Sequence, residues 1–469
     1  MIQNSLLRSL QTLIYLFPFS FIFGNLIINC FILFISILGI LLYRKKILIW
    51  NDKITLNFII FFFLLILFSS YLNYFFFKTN ADAFKSVLFL RYLLFFVVIK
   101  TVIVNKDINL RKYLIFLLGI VSVISIDIII QFFLGKNLVG FEPVYVDSFS
   151  TYYTSVFKNE LIAGGYIMIF ATLSFFSIPL FFENQKKSVL FLIILTIASL
   201  ILCSLVLAGN RMPTILFMFF LLLSGLLYKN KRNKFFIISS VVLSLIIFVS
   251  IALKSELIYK KFRNFYIGIP NPVVVLDEIN KDYPELEKYK NSGIQFHQIP
   301  ELKIKEKYED KTLKQEYDLL PFYTGHVVIF ITSIELFLDK PLLGGGIKSF
   351  RNYCVDKIYL PNRVCENHPH NFYLDILNDL GITGLLLLLI PVCRILLSNY
   401  KSYKLNLLEK DKISSWIIFS LILAIFIQFF PFKSSGSFFS TFNSAYTFFI
   451  LGIATGLHEI KIKLLNKQL

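Results

Sequence analysis

Long runs of apolar residues recur along almost the whole chain, separated by polar segments that carry most of the charges. Many of these runs reach a length of about 20 residues, which an α-helix needs to cross the hydrocarbon core of a bilayer. Hydrophobic residues make up 57% of the chain and charged residues 16%, whereas charged residues make up about 25% of a typical soluble domain. The pattern predicts an all-α, polytopic membrane protein with the lipid bilayer as its surroundings.

We expect about 12 membrane-spanning helices at about 20 apolar residues per crossing. The predicted spans are residues 8–24, 25–43, 55–72, 83–103, 112–134, 160–182, 188–208, 211–228, 234–253, 380–399, 413–430 and 439–458. The first two are separated least clearly, because residues 17–43 form one almost unbroken apolar stretch. The chain thus divides into an N-terminal transmembrane region (1–253), one large loop (254–379) and a C-terminal transmembrane region (380–469).

The basic residues predict the orientation of the chain in the membrane. Short basic loops such as RKK (44–46), KNKRNK (229–234) and KLNLLEKDK (404–412) lie on the side that also holds both termini. Short loops on the other side carry few basic residues: Lys78, Lys136, Lys158, Arg211 and Lys433. Because cytoplasmic loops are enriched in Lys and Arg, we expect cytoplasmic termini and a periplasmic large loop. This distribution explains the net charge of +18 without a nucleic-acid partner.

Two of the five histidines stand in the segment HPHNFYLDILNDLGITG (368–384), where the large loop returns to the membrane. From residue 372 to 380 the apolar positions recur with helical spacing, opposite Asp375, Asn378 and Asp379. The pattern predicts a short amphipathic helix with Asn371 as its cap. His370 then sits at the helix N-terminus, where the helix dipole disfavours a protonated imidazole. A neutral histidine at the membrane surface can act as a general base.

The residues alone leave two other interpretations of this segment open. In one, His370 only makes a hydrogen bond at an interface. In the other, a metal ion is bound by His368, His370, Asp375 and Asp379. The two aspartates share one helical face, but the histidines flank a proline and need not converge. Further along, Gly381 and Gly384 are spaced to let a neighbouring helix approach closely.

The spacing of His370, Asn371, Gly381 and Gly384 resembles the signature of the O-antigen ligase and O-antigen polymerase superfamily. The segments LAGNRMP (207–213) and PLLGGGIKSF (341–350) are similar to two further motifs of that family. Its members are integral membrane glycosyltransferases that act on glycans linked to undecaprenyl diphosphate. The resemblance implies a GT-C-like helical fold in the bacterial inner membrane, with an active site at the periplasmic surface.

The resemblance also implies roles for individual residues. His370 would be the catalytic base, with Asn371 contacting substrate beside it. Arg211 would bind the diphosphate of the donor, since a guanidinium matches phosphate oxygens bidentately. From the residues alone, Arg211 could equally be an interfacial arginine that reaches the lipid headgroups. Lys85 and Arg91 are further candidates for binding the diphosphate, although at their spacing they do not share a helical face.

One position departs from the family pattern. Where the family has a second arginine, followed four residues later by a tryptophan, this chain has His326 and Phe330 in the segment GHVVIF. His326 can donate a hydrogen bond to a phosphate but carries no permanent charge. Arg351 or Arg363 is the alternative source of that charge.

The resemblance implies transfer of a glycan from undecaprenyl diphosphate to a hydroxyl group, with inversion at the anomeric carbon and without a metal or other cofactor. We expect a ligase whose acceptor is lipid A-core. An O-antigen or exopolysaccharide polymerase, whose acceptor is a growing glycan, and a protein O-oligosaccharyltransferase share this layout. A polysaccharide transporter would also explain the many spans, but transporters usually have repeated halves, and this chain shows no internal repeat.

Cys354 and Cys365 are the two cysteines of the large loop. Pro361 lies between them and favours a bend that brings the two cysteines together. We predict a disulfide between them, because the oxidising periplasm permits one. It would hold the chain that leads into His368.

Overall fold

The computed structural model describes residues 2–76, 83–147, 150–182, 185–227, 325–354, 366–408 and 412–468. These residues are almost entirely helical, which confirms the predicted all-α membrane fold. The helices are α1 (Ile2–Ser20), α2 (Asn25–Tyr43), α3 (Lys53–Phe76), α4 (Ala83–Phe89), α5 (Arg91–Val104), α6 (Leu110–Leu134), α7 (Ala163–Ser174), α8 (Ser177–Phe181), α9 (Lys187–Leu207), α10 (Arg211–Leu227), α11 (Gly325–Asp339), α12 (Ser349–Tyr353), α13 (Phe372–Leu408), α14 (Lys412–Gln428) and α15 (Thr441–Gln468). Two short strands, β1 (Val144–Asp147) and β2 (Ser150–Tyr152), form an antiparallel hairpin.

Six helical segments of the described residues are long and apolar enough to cross a bilayer: Asn25–Leu48, Lys53–Phe76, Ala83–Val104, Leu110–Leu134, Ser188–Leu207 and Phe372–Asn406. Shorter apolar helices cover Ala163–Ser174, Arg211–Ser224 and Ser414–Gln428. The predicted number of about 12 spans is not confirmed. The predicted span 160–182 is divided between α7 and α8, and the predicted span 234–253 lies outside the described residues.

Helix α5 is largely buried, and small residues let its neighbours approach closely. On α15, Gly452 and Gly456 face α5, and a Cβ atom on either glycine would lie within 3 Å of Ile99 or Ile103. On α2, a Cβ atom on Gly39 would lie 2.2 Å from Val98 of α5. Small residues at such spacing permit close packing of membrane helices, so α5 is held between α2 and α15.

Helix α13 is broken at Gly381, where φ is 65° and ψ is −170°. The segment 341–346, which we call the glycine turn, packs into this break. Its amides at positions 345 and 346 donate to the carbonyls of Asn378 and Asp379, at 2.7 and 2.9 Å. The turn therefore closes the C-terminal end of the first part of α13, residues 372–380.

The glycines of the family signature admit contacts other than the predicted neighbouring helix. A Cβ atom on Gly381 would lie 2.3 Å from the carbonyl carbon of Leu342, in the glycine turn. A Cβ atom on Gly384 would lie 2.2 Å from Cβ of Leu380, on the same helix. The break in α13 thus places a turn against Gly381, and the close approach of a neighbouring helix stays a prediction.

A polar cluster joins α3, α13 and α15 at the end of the bundle away from the break in α13. Asp52 caps the N-terminus of α3 by accepting the amide of Thr55 at 3.1 Å. Its carboxylate also pairs with Arg394 of α13 at 3.1 Å and lies 3.3 Å from Nε2 of His458 of α15. Glu459 accepts the backbone amide of Asp52 at 2.9 Å. Polar groups thus gather at both ends of the bundle, with apolar helices between them.

Candidate active site

The N-terminal turn of α13 has the predicted cap. Oδ1 of Asn371 accepts the amides of Tyr373 at 2.9 Å and Leu374 at 3.3 Å. The helix begins at Phe372, so His370 lies just outside it, with a positive φ of 54°. The predicted role of Asn371 as cap is confirmed.

Residues 429–440 connect α14 to α15, and we call them the last loop. This loop packs against the N-terminal turn of α13. The amide of Ser435 donates to the carbonyl of His370 at 2.8 Å. Nδ2 of Asn371 donates to the carbonyl of Pro431 at 2.7 Å. Both ends of the Asn371 amide therefore bind protein groups, and its predicted contact with substrate stays a prediction.

The polar face predicted for residues 372–380 does not face water. Asp375 is 3% exposed, and its Oδ2 accepts the hydroxyl of Ser437 at 2.7 Å and the amide of Phe438 at 2.8 Å, both in the last loop. Asn378 is buried as well. The predicted helix is present, and the last loop and the glycine turn bury its polar side.

Asp379 anchors the next segment, at the start of α12. It is 1% exposed and accepts the amides of Lys348 at 2.7 Å and Ser349 at 2.9 Å, together with the hydroxyl of Ser349 at 2.8 Å. The two aspartates thus accept hydrogen bonds from different segments of the chain. Among the described residues, no group of three or more His, Cys, Asp or Glu side chains is arranged to hold a metal.

A cavity of about 410 Å³ opens beside this turn. Its basic lining residues are Lys85, Arg91, Lys348 and Arg351, and its other polar ones are Asn25, Asn367, His368, Asp375, Ser437, Ser440 and Thr441. The apolar part of the lining consists of Leu88, Phe89, Ile347, Phe350 and Phe439. With four cations and one carboxylate, the cavity favours an anionic ligand that also has an apolar part.

Lys85 and Arg91 line this same cavity, although the sequence predicts that they do not share a helical face. Both lie on the helical segment Ala83–Val104, which is interrupted at Leu90 between α4 and α5. The guanidinium of Arg91 is held in place by Oδ1 of Asn29 at 3.0 Å and by the hydroxyl of Tyr92 at 2.9 Å. It also lies 4.4 Å from the centre of the Tyr92 ring. The cavity therefore has at least one preoriented cation.

His368, not His370, is the histidine in the cavity lining. The two imidazole rings contact each other with their centres 4.3 Å apart. Nε2 of His368 is buried and has no hydrogen-bond partner among the described residues. Burial lowers the pKa of His368, and the nearby carboxylate of Glu366 partly opposes that shift. The sequence suggested His368 only as a metal ligand, and the structure makes it the link between the cavity and His370.

The remaining predicted site residues are placed as follows. Arg211 begins α10, next to Asn210, whose side chain bonds the backbone of Leu161 and Gly164. Arg211 is not among the residues that line the cavity. Arg351 lines the cavity and is exposed. His326 is the second residue of α11, but its side chain lies outside the described part of the structure, as does Arg363.

Two basic residues near the turn were not predicted as site residues. Lys348 lines the cavity and has a positive φ of 64°. Lys433 is buried in the last loop. The only signal for either in the sequence was a basic residue in a segment predicted to face outward, which is too common to identify a site.

Cys354 is disulfide-bonded, and Cys30, Cys203 and Cys393 are free. Its predicted partner, Cys365, lies outside the described residues. The pairing of these two cysteines therefore stays a prediction.

Residues 194–389 match the O-antigen ligase family (Wzy_C). No curated protein sequence matches the chain. The matched segment contains Arg211, the glycine turn and the turn at His370. It does not reach α4, α5 or the last loop, which also contribute to the cavity.

Proposed function

We propose, from the match of residues 194–389 to the O-antigen ligase family, that the protein transfers a glycan from undecaprenyl diphosphate to an acceptor hydroxyl at the periplasmic face of the inner membrane. The family match confirms the predicted resemblance. It identifies an enzyme of the O-antigen ligase or polymerase type, which uses lipid-linked glycans in a membrane. The specific reaction, its acceptor and the roles of individual residues belong to the proposal.

The observation that carries the proposal is the cavity at the end of the apolar bundle. A lipid diphosphate combines a strongly anionic group with an apolar chain. The cavity offers both kinds of contact, with four cations in its lining and apolar residues such as Leu88 and Phe89 between them. Arg91 is oriented by its own hydrogen bonds, so it loses little side-chain freedom when it binds a phosphate.

In the proposed reaction, the acceptor oxygen attacks the anomeric carbon of the donor sugar while His370 accepts the hydroxyl proton. The bond between that carbon and the diphosphate oxygen breaks, and the diphosphate leaves with the electron pair. Lys85, Arg91 and Arg211 stabilise the charge that develops on the leaving group. Attack from the side opposite the leaving group inverts the anomeric centre. The proposal involves neither a metal nor a cofactor.

A lipid A-core acceptor, and so a ligase, is our preferred form of the proposal. The alternatives within the superfamily are a polymerase and a protein O-oligosaccharyltransferase. Purified enzyme in vesicles can be given the same lipid-linked donor with lipid A-core, with a second lipid-linked glycan or with a protein acceptor. The product that carries the transferred glycan then identifies the reaction. A second assay supplies both substrates on the outer side of the vesicles and none inside. Consumption of the donor under these conditions excludes a transporter.

The central test is His370→Ala, assayed with an undecaprenyl-diphosphate-linked glycan in reconstituted membranes. Loss of a general base typically lowers the rate by about 10²–10⁴-fold, and we expect a loss of that size at unchanged expression. His458→Gln is the matched control, since it removes an imidazole at the other end of the bundle. Near-normal transfer by His370→Ala would refute the assignment of the base.

A further inference from the structure

Lys433 is a buried amine with no acidic partner among the described residues. It is 7% exposed and lies in the last loop. Its Nζ donates to Oε1 of Gln428 at 2.8 Å and lies 5.0 Å from the centre of the Phe372 ring. A neutral amide and an aromatic face are weak compensation for a buried charge.

Burial of such an amine costs free energy that an apolar side chain of similar length would not cost. The same burial lowers the pKa of Lys433 from its usual value of 10.5 to about 7. The amine therefore changes its charge near neutral pH, which an ordinary lysine does not. Stability alone gives no reason for a lysine at this position.

The position of Lys433 relative to His370 suggests a reason. The ring of Phe372 lies against the amine. The side chain of Asn371 lies 3.5 Å from the carbonyl oxygen of Lys433. Two residues further along the last loop, Ser435 binds the carbonyl of His370 at 2.8 Å. Lys433 thus packs beneath the turn that presents His370.

We propose that Lys433 is a positioning residue that controls the protonation of His370 through its charge. While Lys433 carries its proton, its charge disfavours a second positive charge on the His370 imidazole and so favours the neutral form. A neutral imidazole is the form that can accept the acceptor's proton. The electrostatic coupling stands on the contacts of Lys433 alone, and its use in catalysis rests on the proposed function.

Other charged groups surround the same turn and act on it as well. His368 contacts His370 directly, and Glu366 precedes it on the same segment. Asp375 lies on α13, and the cavity contributes the cations Lys85, Arg91, Lys348 and Arg351. Lys433 differs from these cavity cations because it is buried and is not part of the cavity lining.

The test is the titration of His370, followed by NMR in protein labelled at histidine. The chain has five histidines, so the His370 signal can be assigned from its loss in His370→Gln. Lys433→Met removes the cation, and we expect the midpoint of the His370 titration to move to higher pH by on the order of one unit. This is the shift expected for a nearby unit charge at an effective dielectric constant near 20. Lys433→Arg keeps a permanent charge, and its midpoint should not rise. Lys136→Met, at an exposed lysine of another loop, is the matched control.

An unchanged His370 midpoint in folded Lys433→Met would overturn the proposal. If that variant fails to fold, the unaltered protein still decides, because two coupled groups titrate in more than one step. A single-step His370 curve across the range in which Lys433 titrates would then refute the coupling. None of these measurements uses glycan transfer. Failure of the proposed function would show as full transfer activity of His370→Ala, and this result is independent of the titration.

Discussion

Arg211 begins α10, outside the cavity lining that contains Arg91 and Arg351. Its proposed role is bidentate binding of a donor phosphate, which needs the planar guanidinium and not only its charge. An arginine that merely reaches lipid headgroups needs the charge alone. A lysine at position 211 could therefore serve the headgroup role but not bidentate phosphate binding.

Arg211→Lys therefore separates these roles. Hydrogen bonds to charged groups contribute about 1.5–3 kcal/mol, so loss of the bidentate geometry should lower transfer by about 10-fold or more. The assay is glycan transfer at several donor concentrations. Arg8→Lys, at an exposed position of α1, is the control. Equal activity of Arg211→Lys and the unaltered protein would leave only the headgroup role.

At the scale of elements, the break in α13 places the site. The first part of α13 ends at Gly381, and the glycine turn fills the break. Asp379, just before the break, holds the start of α12, which places Lys348 and Arg351 in the cavity lining. A continuous helix would leave no room for the turn.

We expect Gly381→Ala to destabilise the protein strongly, for two reasons. A residue with a side chain is disfavoured at this combination of positive φ and extended ψ by about 1–3 kcal/mol. In addition, the new Cβ atom would lie 2.3 Å from the backbone of Leu342, which cannot rotate away as a side chain can. Thermal unfolding in detergent measures the effect.

Gly119→Ala is the control for this prediction. Gly119 lies in α6, and a Cβ atom there would meet nothing within 4 Å. Because alanine favours a helix over glycine by about 0.5–1 kcal/mol, this variant should be at least as stable as the unaltered protein. If Gly381→Ala unfolds at the same temperature as Gly119→Ala, the break does not depend on glycine.

At the scale of the whole molecule, segments that the charge pattern assigns to one side of the membrane meet at one end of the bundle. The predicted outer loops contribute Lys348, His368 and Ser437 to one cavity, and Lys85 joins them from the outer end of the predicted span 83–103. The loop that contains Asp52, predicted to be cytoplasmic, meets Arg394 and His458 at the other end. The fold is therefore consistent with the predicted topology, and the direction in which it is inserted is a prediction.

Reporter fusions test that direction. Alkaline phosphatase, active only outside the cytoplasm, should be active when fused at residue 290 of the large loop and inactive when fused at residue 409. A fluorescent protein that folds only in the cytoplasm should give the opposite pattern. Activity of the phosphatase at residue 409 alone would place the cavity on the cytoplasmic side and exclude a periplasmic reaction.

The amino-acid sequence by itself determined the membrane class, the helical cap at Asn371 and the signature around His370. Each depends on residues close together in the chain: the length of an apolar run, the spacing of polar positions, or a short motif. The family match over residues 194–389 agrees with that local information.

Only the tertiary structure decided which charged residues meet. Lys85 and Arg91 share a cavity with Lys348 and Arg351 of the large loop, and Asp375 is buried because the last loop folds over it. Lys433 lies beneath the turn at His370 for the same reason. These contacts join segments tens to hundreds of residues apart, and helical periodicity carries no information about which distant segment will cover a given face.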